Sequence, residues 1–408
     1  MPEWFRERSA KPRTRVRFPS SPPHPERESG PQRPGSPILV ATLEAGNAPL
    51  RRVDIRLRLW SVVANLPARP AMRLVAVLIA TMLAGCSGSN SESPAGSSTG
   101  AASPSPPASS GLPSSPPAVV LPGAVLFVKV ADGDAHAIYS LEGGSERQLT
   151  EPGAYQLVGP VSPDLRHVLV LPGGQIPLPL TGGTLDIDGT NFSLFERSDP
   201  TLNMVPLAWS PDGSRVAFLG WDDADPSRMG VYTARASDGG DLVRVTERPG
   251  DLEDVPLDYS PDGEWIVFYR AAHPDPDPHV DGALWTVRVD GTDATQISGN
   301  AHPADSARWS PDGQKILFAT ERLAPEGALW TVSPDGSDLV QLFVDPAGQF
   351  PIAPTWSPDG SQILFALDPT NDQFQHPPNT FAVINADGTG LRLVAGSTGF
   401  KVPADWWK

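Results

Sequence analysis

The residues best equipped for chemistry are acids and histidines gathered in two stretches. Trp221-Asp222-Asp223 is followed closely by Asp225, and His273-Pro-Asp275-Pro-Asp277-Pro-His279-Val-Asp281 interleaves acids, histidines and prolines. Carboxylates spaced in this way offer hard oxygen ligands, and Ca²⁺ tolerates irregular oxygen cages, so a divalent cation is the cofactor these loops could hold. His302, near the start of a later repeat, could approach the second stretch. Trp221 reads as an exposed ring beside its three acids. The competing reading is solvated charge that keeps an acidic protein soluble. No catalytic residue stands out. Gly96-Ser-Ser98-Thr-Gly100 has the pattern of a nucleophile elbow but lies in linker sequence without the strand and helix that an elbow needs. Asp186-Ile-Asp188-Gly-Thr-Asn191 begins like a calcium loop, lacks the distal Glu, and falls where other repeats place a turn. His136, His167 and His376 have no partner legible in the sequence.

A repeat must position these loops. Trp209-Ser-Pro-Asp-Gly213, Tyr259-Ser-Pro-Asp-Gly263, Trp309-Ser-Pro-Asp-Gly313 and Trp356-Ser-Pro-Asp-Gly360 recur at spacings of 50, 50 and 47 residues, and Val161-Ser-Pro-Asp-Leu165 is a degenerate copy. Ser can bond the turn's own backbone, Pro presets φ, and Gly suits the position with positive φ. Each copy leads into an alternating apolar run such as Arg215-Val-Ala-Phe218 or Lys315-Ile-Leu-Phe318. A second strand pair follows through Asp-Gly turns at Asp290-Gly291, Asp335-Gly336 and Asp387-Gly388.

Four antiparallel strands per repeat resemble the blade of a TolB-like, WD-type β-propeller, over residues 124 to 408. The resemblance implies an all-β fold and a scaffold that binds partners rather than an enzyme. The first unit, beginning Ala124-Val-Leu-Phe127, lacks its aromatic inner strand. Trp406 lies 50 residues after Trp356 and supplies it. The expected fold is therefore a six-bladed β-propeller closed by N- and C-terminal strands, preceded by a disordered linker. Turns within each strand pair emerge on one face and are short. Loops such as 173–183, 221–229, 271–282, 321–327 and 368–379 emerge on the other, and their variety marks it as the binding face. The candidate binding residues there are Trp221, Asp222, Asp223, Asp225, Asp275, Asp277, His279 and His302.

The remaining sequence reads as address and tether. Met72-Arg73 precedes an apolar run, Leu74 to Ala84, too short to span a bilayer but suited to a signal peptide. Leu83-Ala-Gly-Cys86 resembles the lipobox of bacterial lipoproteins, which implies lipid on Cys86, the chain's only cysteine. Translation is then expected to begin at Met72, with residues 1–71 untranslated or disordered, 72–85 a signal peptide, 86–120 the lipidated Cys and a Ser/Pro/Ala/Gly-rich tether, and 121–408 the propeller. Beyond Arg73 the chain holds 41 acidic against 17 basic residues, a balance that repels nucleic acid. The expected protein is anchored to a bacterial membrane on its extracytoplasmic side and binds a protein, peptide or cell-wall ligand. A metal-dependent propeller enzyme acting on glycans or peptides is the alternative.

Overall fold

The computed structural model describes residues 119–407 except 131–135, 174–178, 248–251, 273–281, 300–305, 321–326, 370–378 and 396–398. Each turn motif builds the same local structure. The Ser hydroxyl lies 2.5–2.6 Å from the Asp Oδ1 in all five copies, and the same hydroxyl accepts the N–H five residues on at 2.9 Å. That second bond ties the start of the next strand to the end of the last. Gly213, Gly263, Gly313 and Gly360 sit at φ between +69° and +74°, where a side chain strains the backbone. In the degenerate copy Leu165 takes the same conformation at φ +61°.

Among the described residues, 24 strands form six four-stranded antiparallel sheets. Blade 2 runs β4 (Tyr155–Val161), β5 (His167–Pro172), β6 (Gly183–Asp186) and β7 (Ser193–Leu194). Blade 3 runs β8 (Leu202–Trp209), β9 (Arg215–Asp222), β10 (Gly230–Arg235) and β11 (Val243–Arg244). Blade 4 follows with β12 (Leu252–Tyr259), β13 (Trp265–Ala272), β14 (Gly282–Arg288) and β15 (Thr295–Gln296). Blade 5 has β16 (Ala307–Trp309), β17 (Ile316–Thr320), β18 (Ala328–Val332) and β19 (Val340–Val344). Blade 6 has β20 (Phe350–Trp356), β21 (Gln362–Asp368), β22 (Thr380–Asn385) and β23 (Arg392–Leu393). Blade 1 joins the two ends of this ring: β1 (Ala124–Val130), β2 (His136–Glu142) and β3 (Ser145–Gln148) are completed by β24 (Lys401–Trp407) as inner strand. β1 and β24 pair from Ala124↔Trp407 to Lys129↔Lys401. The inner strands touch in sequence around the ring, and β20 meets β24, so the circle closes.

The second strands were expected to alternate. Instead β17 is buried at every position and β9 at all but its first, because neighbouring blades cover both faces of each sheet. Phe127, Phe218, Phe268, Phe318 and Phe365, one per second strand in five blades, are fully buried. The turns add a second layer of interblade contact. A Cβ on Gly263 would lie 3.3 Å from Pro211 of the preceding turn, and one on Gly239 or Gly388 would overlap a carbonyl of the preceding blade.

Leu165 offers a direct stability test. Its side chain is 42% exposed, so little burial is lost on removal. Relief of the left-handed strain outweighs the added chain entropy, and Leu165→Gly is expected to stabilise the propeller by about 0.5–1 kcal/mol. Urea unfolding measures this; a lower midpoint contradicts it.

Candidate functional site

The long-loop face of blade 3 carries four of the expected binding residues, and the structure gives them different roles. Trp221 is 3% exposed and packs with Leu171, Leu180, Val205, Leu219, Met229 and Val255, which corrects the reading of an exposed ring. It ends β9, and the same stacking of blades that buries the rest of that strand buries its last aromatic. Asp222 is buried as well. It accepts from Arg228 Nη1 at 2.8 Å, from Thr201 Oγ1 at 2.7 Å and from the Ala224 N–H at 2.8 Å. Arg228 also pairs with Asp199. The Thr201 hydroxyl, above all, holds the Asp222 carboxyl below the usual range. Asp225 caps the short 3₁₀ turn Pro226–Arg228 by accepting from Ser227 N and Oγ. Asp222 and Asp225 therefore shape the loop, and Asp223 lies half-buried between them. Asp275, Asp277, His279, His302 and Cys86 lie outside the described residues. Among the described residues, no group of three His, Cys, Asp or Glu side chains gathers to hold a metal.

Two further readings settle by geometry. Asp188 accepts from Thr190 N and Oγ1, so the sequence resembling a calcium loop is an Asp-Gly turn. His167 Nδ1 lies 3.1 Å from Asp186 Oδ1, a partner that sequence spacing did not reveal.

The sequence reading missed a charged cluster near the ring axis. The inner strands β4, β8, β12, β20 and β24 each carry a break in register, and a proline sits at each break: Pro160, Pro206, Pro256, Pro354 and Pro403. Proline suits a bulge because it has no N–H to leave unpaired. The residue just before the terminal aromatic then turns into the seam between blades. In blade 4 this is Asp258, whose Oδ2 accepts Trp309 N of blade 5 at 2.9 Å and whose Oδ1 accepts Tyr259 N at 3.0 Å. Asp405 of blade 1 repeats the arrangement, with Val161 N of blade 2 at 2.9 Å and Trp406 N at 2.8 Å. Arg308 is the counterpart in blade 5, and its guanidinium donates to Leu257 O at 2.9 Å.

Burial raises the Asp258 carboxyl to about 6, and the nearby Asp405 charge adds to the rise, while Arg308 and the Trp309 amide oppose it. Burial raises Asp405 too, against the Val161 amide and Arg308. Asp258 can exchange a proton near pH 6, and each carboxylate bridges two blades. The signal lay in the repeat itself: the position before the motif aromatic reads Ala208, Asp258, Arg308, Thr355 and Asp405, with charges on strands that are otherwise apolar.

No family model matches the chain. Over 143 residues it is 31% identical to an uncharacterised protein of Agrobacterium fabrum, a match covering 35% of this chain and 41% of that protein. The match thus spans about two-fifths of that relative's length. Among solved structures, a TolB of Acinetobacter baumannii superposes with a TM-score of 0.51 at 15% identity, covering 69% of this chain and 67% of the other. A structure titled as a putative TolB, from Agrobacterium tumefaciens, gives 0.50 at 18%, covering 70% and 94%. At these identities the likeness is one of fold: the chain is a TolB-like six-bladed β-propeller.

Two classes of carboxylate give stability opposite pH dependences. The turn acids Asp164, Asp212, Asp262, Asp312 and Asp359 are lowered, first by their Ser hydroxyls, and Asp359 reaches about 2. Their contribution is complete above the ordinary carboxylate value of about 4 and is lost as pH falls below it. Asp258 is raised, so its contribution is complete below about 4 and is lost as pH rises through 6. Urea midpoints from pH 3 to 8 are expected to peak between about pH 4 and 6. Asp258→Asn should flatten the alkaline limb and raise stability at pH 8 by about 1–2 kcal/mol, since the amide keeps one acceptor without the buried charge. An unchanged alkaline limb contradicts the assignment.

Proposed function

We propose that this protein is exported, held to a membrane by lipid on Cys86, and uses its propeller as an extracytoplasmic scaffold. The scaffold captures a protein, peptide or cell-wall ligand on the face of the long loops. In this reading residues 72–85 are the signal peptide, 86–120 the tether and 121–408 the binding domain.

The observation that carries the reading is the contrast between the two faces. On one, short turns spend their polar groups on themselves: Ser on Asp, Asp on the following N–H, Gly N–H on the Ser carbonyl at 2.8–2.9 Å. On the other, the connections vary in length and composition from blade to blade. A rigid ring presenting variable loops suits recognition, because loop residues can change without disturbing the sheets. TolB-like architecture supports a scaffold and does not by itself supply a ligand. The single Cys follows an apolar run of signal-peptide length, and two or three acyl chains on it give stable anchoring.

Two measurements test this. Radiolabelled palmitate should enter the wild-type protein and not Cys86→Ser; equal label in both removes the anchor. A photo-crosslinking residue in place of Asp225, exposed on the long-loop face, should form adducts in intact cells. The same residue in place of Thr389, exposed on the short-turn face, should form few. Adducts at the Thr389 position alone would reverse the choice of face.

A further inference from the structure

One seam between blades, on the short-turn face away from the long loops, carries a different terminal aromatic and a cavity beside it. Most inner strands end in Trp, and in two seams the indole stitches blades together, while Trp309 Nε1 of blade 5 is buried without a hydrogen-bond partner among the described residues. Trp209 Nε1 donates to Pro160 O of the preceding blade at 3.1 Å, and Trp356 Nε1 donates to Arg308 O at 3.3 Å. Blade 4 carries Tyr259 instead. A phenol cannot repeat that bond from the same position. Its hydroxyl is buried without a hydrogen bond of ordinary geometry, though Thr233 lies near enough to influence it, and burial pushes the phenol up. A buried unsatisfied hydroxyl is uncommon enough to need an explanation.

Beside Tyr259 the seam between blades 3 and 4 opens into a cavity of about 310 Å³. That is at the small end of the ~300–1,000 Å³ range of ligand sites, sized for a single ring. Its rim is built from two turn motifs, and its chemistry is mixed. Asp212 and Asp262 contribute carboxylates that their turns hold below the usual range, so both are ionised at neutral pH. Arg215 contributes a guanidinium fixed by bonds from Nη2 to Thr233 O, Thr233 Oγ1 and Asp241 O at 2.7–3.1 Å. Val243 and Val289 supply apolar wall.

This combination selects among ligands by charge. An anion would face two fixed carboxylates. A bare cation would face the fixed guanidinium of Arg215, while the carboxylates, already accepting from Ser hydroxyls and backbone N–H groups, keep lone pairs for a further donor. A neutral ring bearing several hydroxyls meets neither objection. It can donate to the carboxylates, accept from the guanidinium and lay its C–H groups against valine, and each such hydrogen bond to a charged group is worth more than a neutral one. We infer that the seam between blades 3 and 4 binds one pyranose-sized neutral sugar, gripped by Asp212, Asp262 and Arg215.

Tyr259→Trp is the decisive variant because it restores the side chain that other blades carry at this position, aiming the indole N–H at Ala208 O and filling the cavity. Saturation-transfer NMR and calorimetry on the full chain would use glucose and N-acetylglucosamine as probes, with glucuronate and glucosamine as charged comparisons. The expected result is binding of a neutral sugar, weaker binding of both charged sugars, and at least a tenfold rise in dissociation constant in Tyr259→Trp. Should that variant fail to fold, Val243→Tyr narrows the cavity from an exposed strand position and should show the same loss. Absence of neutral-sugar binding, equal or tighter binding of a charged sugar, or affinity retained in the folded variant overturns the inference.

Discussion

A ring of six sheets stands or falls on how its last blade is closed, because an open ring would leave one blade without its inner strand and expose a sheet edge. Here the closing strand comes from the end of the chain. β24 pairs with β1 along its whole length, Trp406 Nε1 donates to Pro122 O at 2.8 Å, and Asp405 reaches into blade 2 to accept Val161 N. The closure also carries charge. Lys129 and Lys401 stand opposite each other across the β1–β24 pair and share Glu146, at 3.1 and 3.8 Å. Burial lowers Lys401 against the pull of Glu146. Asn379 fixes the start of the strand by bonding both the N–H and the carbonyl of Lys401.

The other seams repeat the same economy with fewer polar groups. Four seams set a turn glycine against a proline of the preceding turn, and three of them add a side-chain bond across the inner strands. These bonds end on backbone groups, while Trp309 Nε1 and the Tyr259 hydroxyl are buried without a hydrogen bond of ordinary geometry among the described residues. Where a seam departs from this pattern, at Tyr259, it opens a cavity. Where it gains charge, at Asp258 and Asp405, it gains carboxyls that burial raises above the ordinary range.

The two faces follow from strand direction alone. Successive strands reverse, so turns of one class must emerge together, and the chain has filled that class with residues that satisfy themselves. The acids there are therefore held ionised by structure. On the opposite face the acids nearest the sheet, Asp222 above all, are held by Arg228 and Thr201, so any ligand chemistry on that face belongs to residues further out on its loops.

Much of the architecture was legible because it rests on local chemistry that repeats. Ser-Pro-Asp-Gly dictates its own turn, Asp-Gly dictates another, and a period near 50 residues with Trp406 in register is enough to count six blades and to predict which ends meet. What the sequence could not show is anything that depends on which blade faces which. Trp221 next to three acids reads as surface, yet the neighbouring blade buries it. His167 finds Asp186 only because β5 and β6 pair. The axial acids stand about 150 residues apart in the chain and share Arg308 only because the ring closes on itself. Turn formation is decided by a few adjacent residues, so sequence determined it. Burial, pKa and the cavity at Tyr259 are decided by packing between distant repeats, which only the tertiary structure brings together.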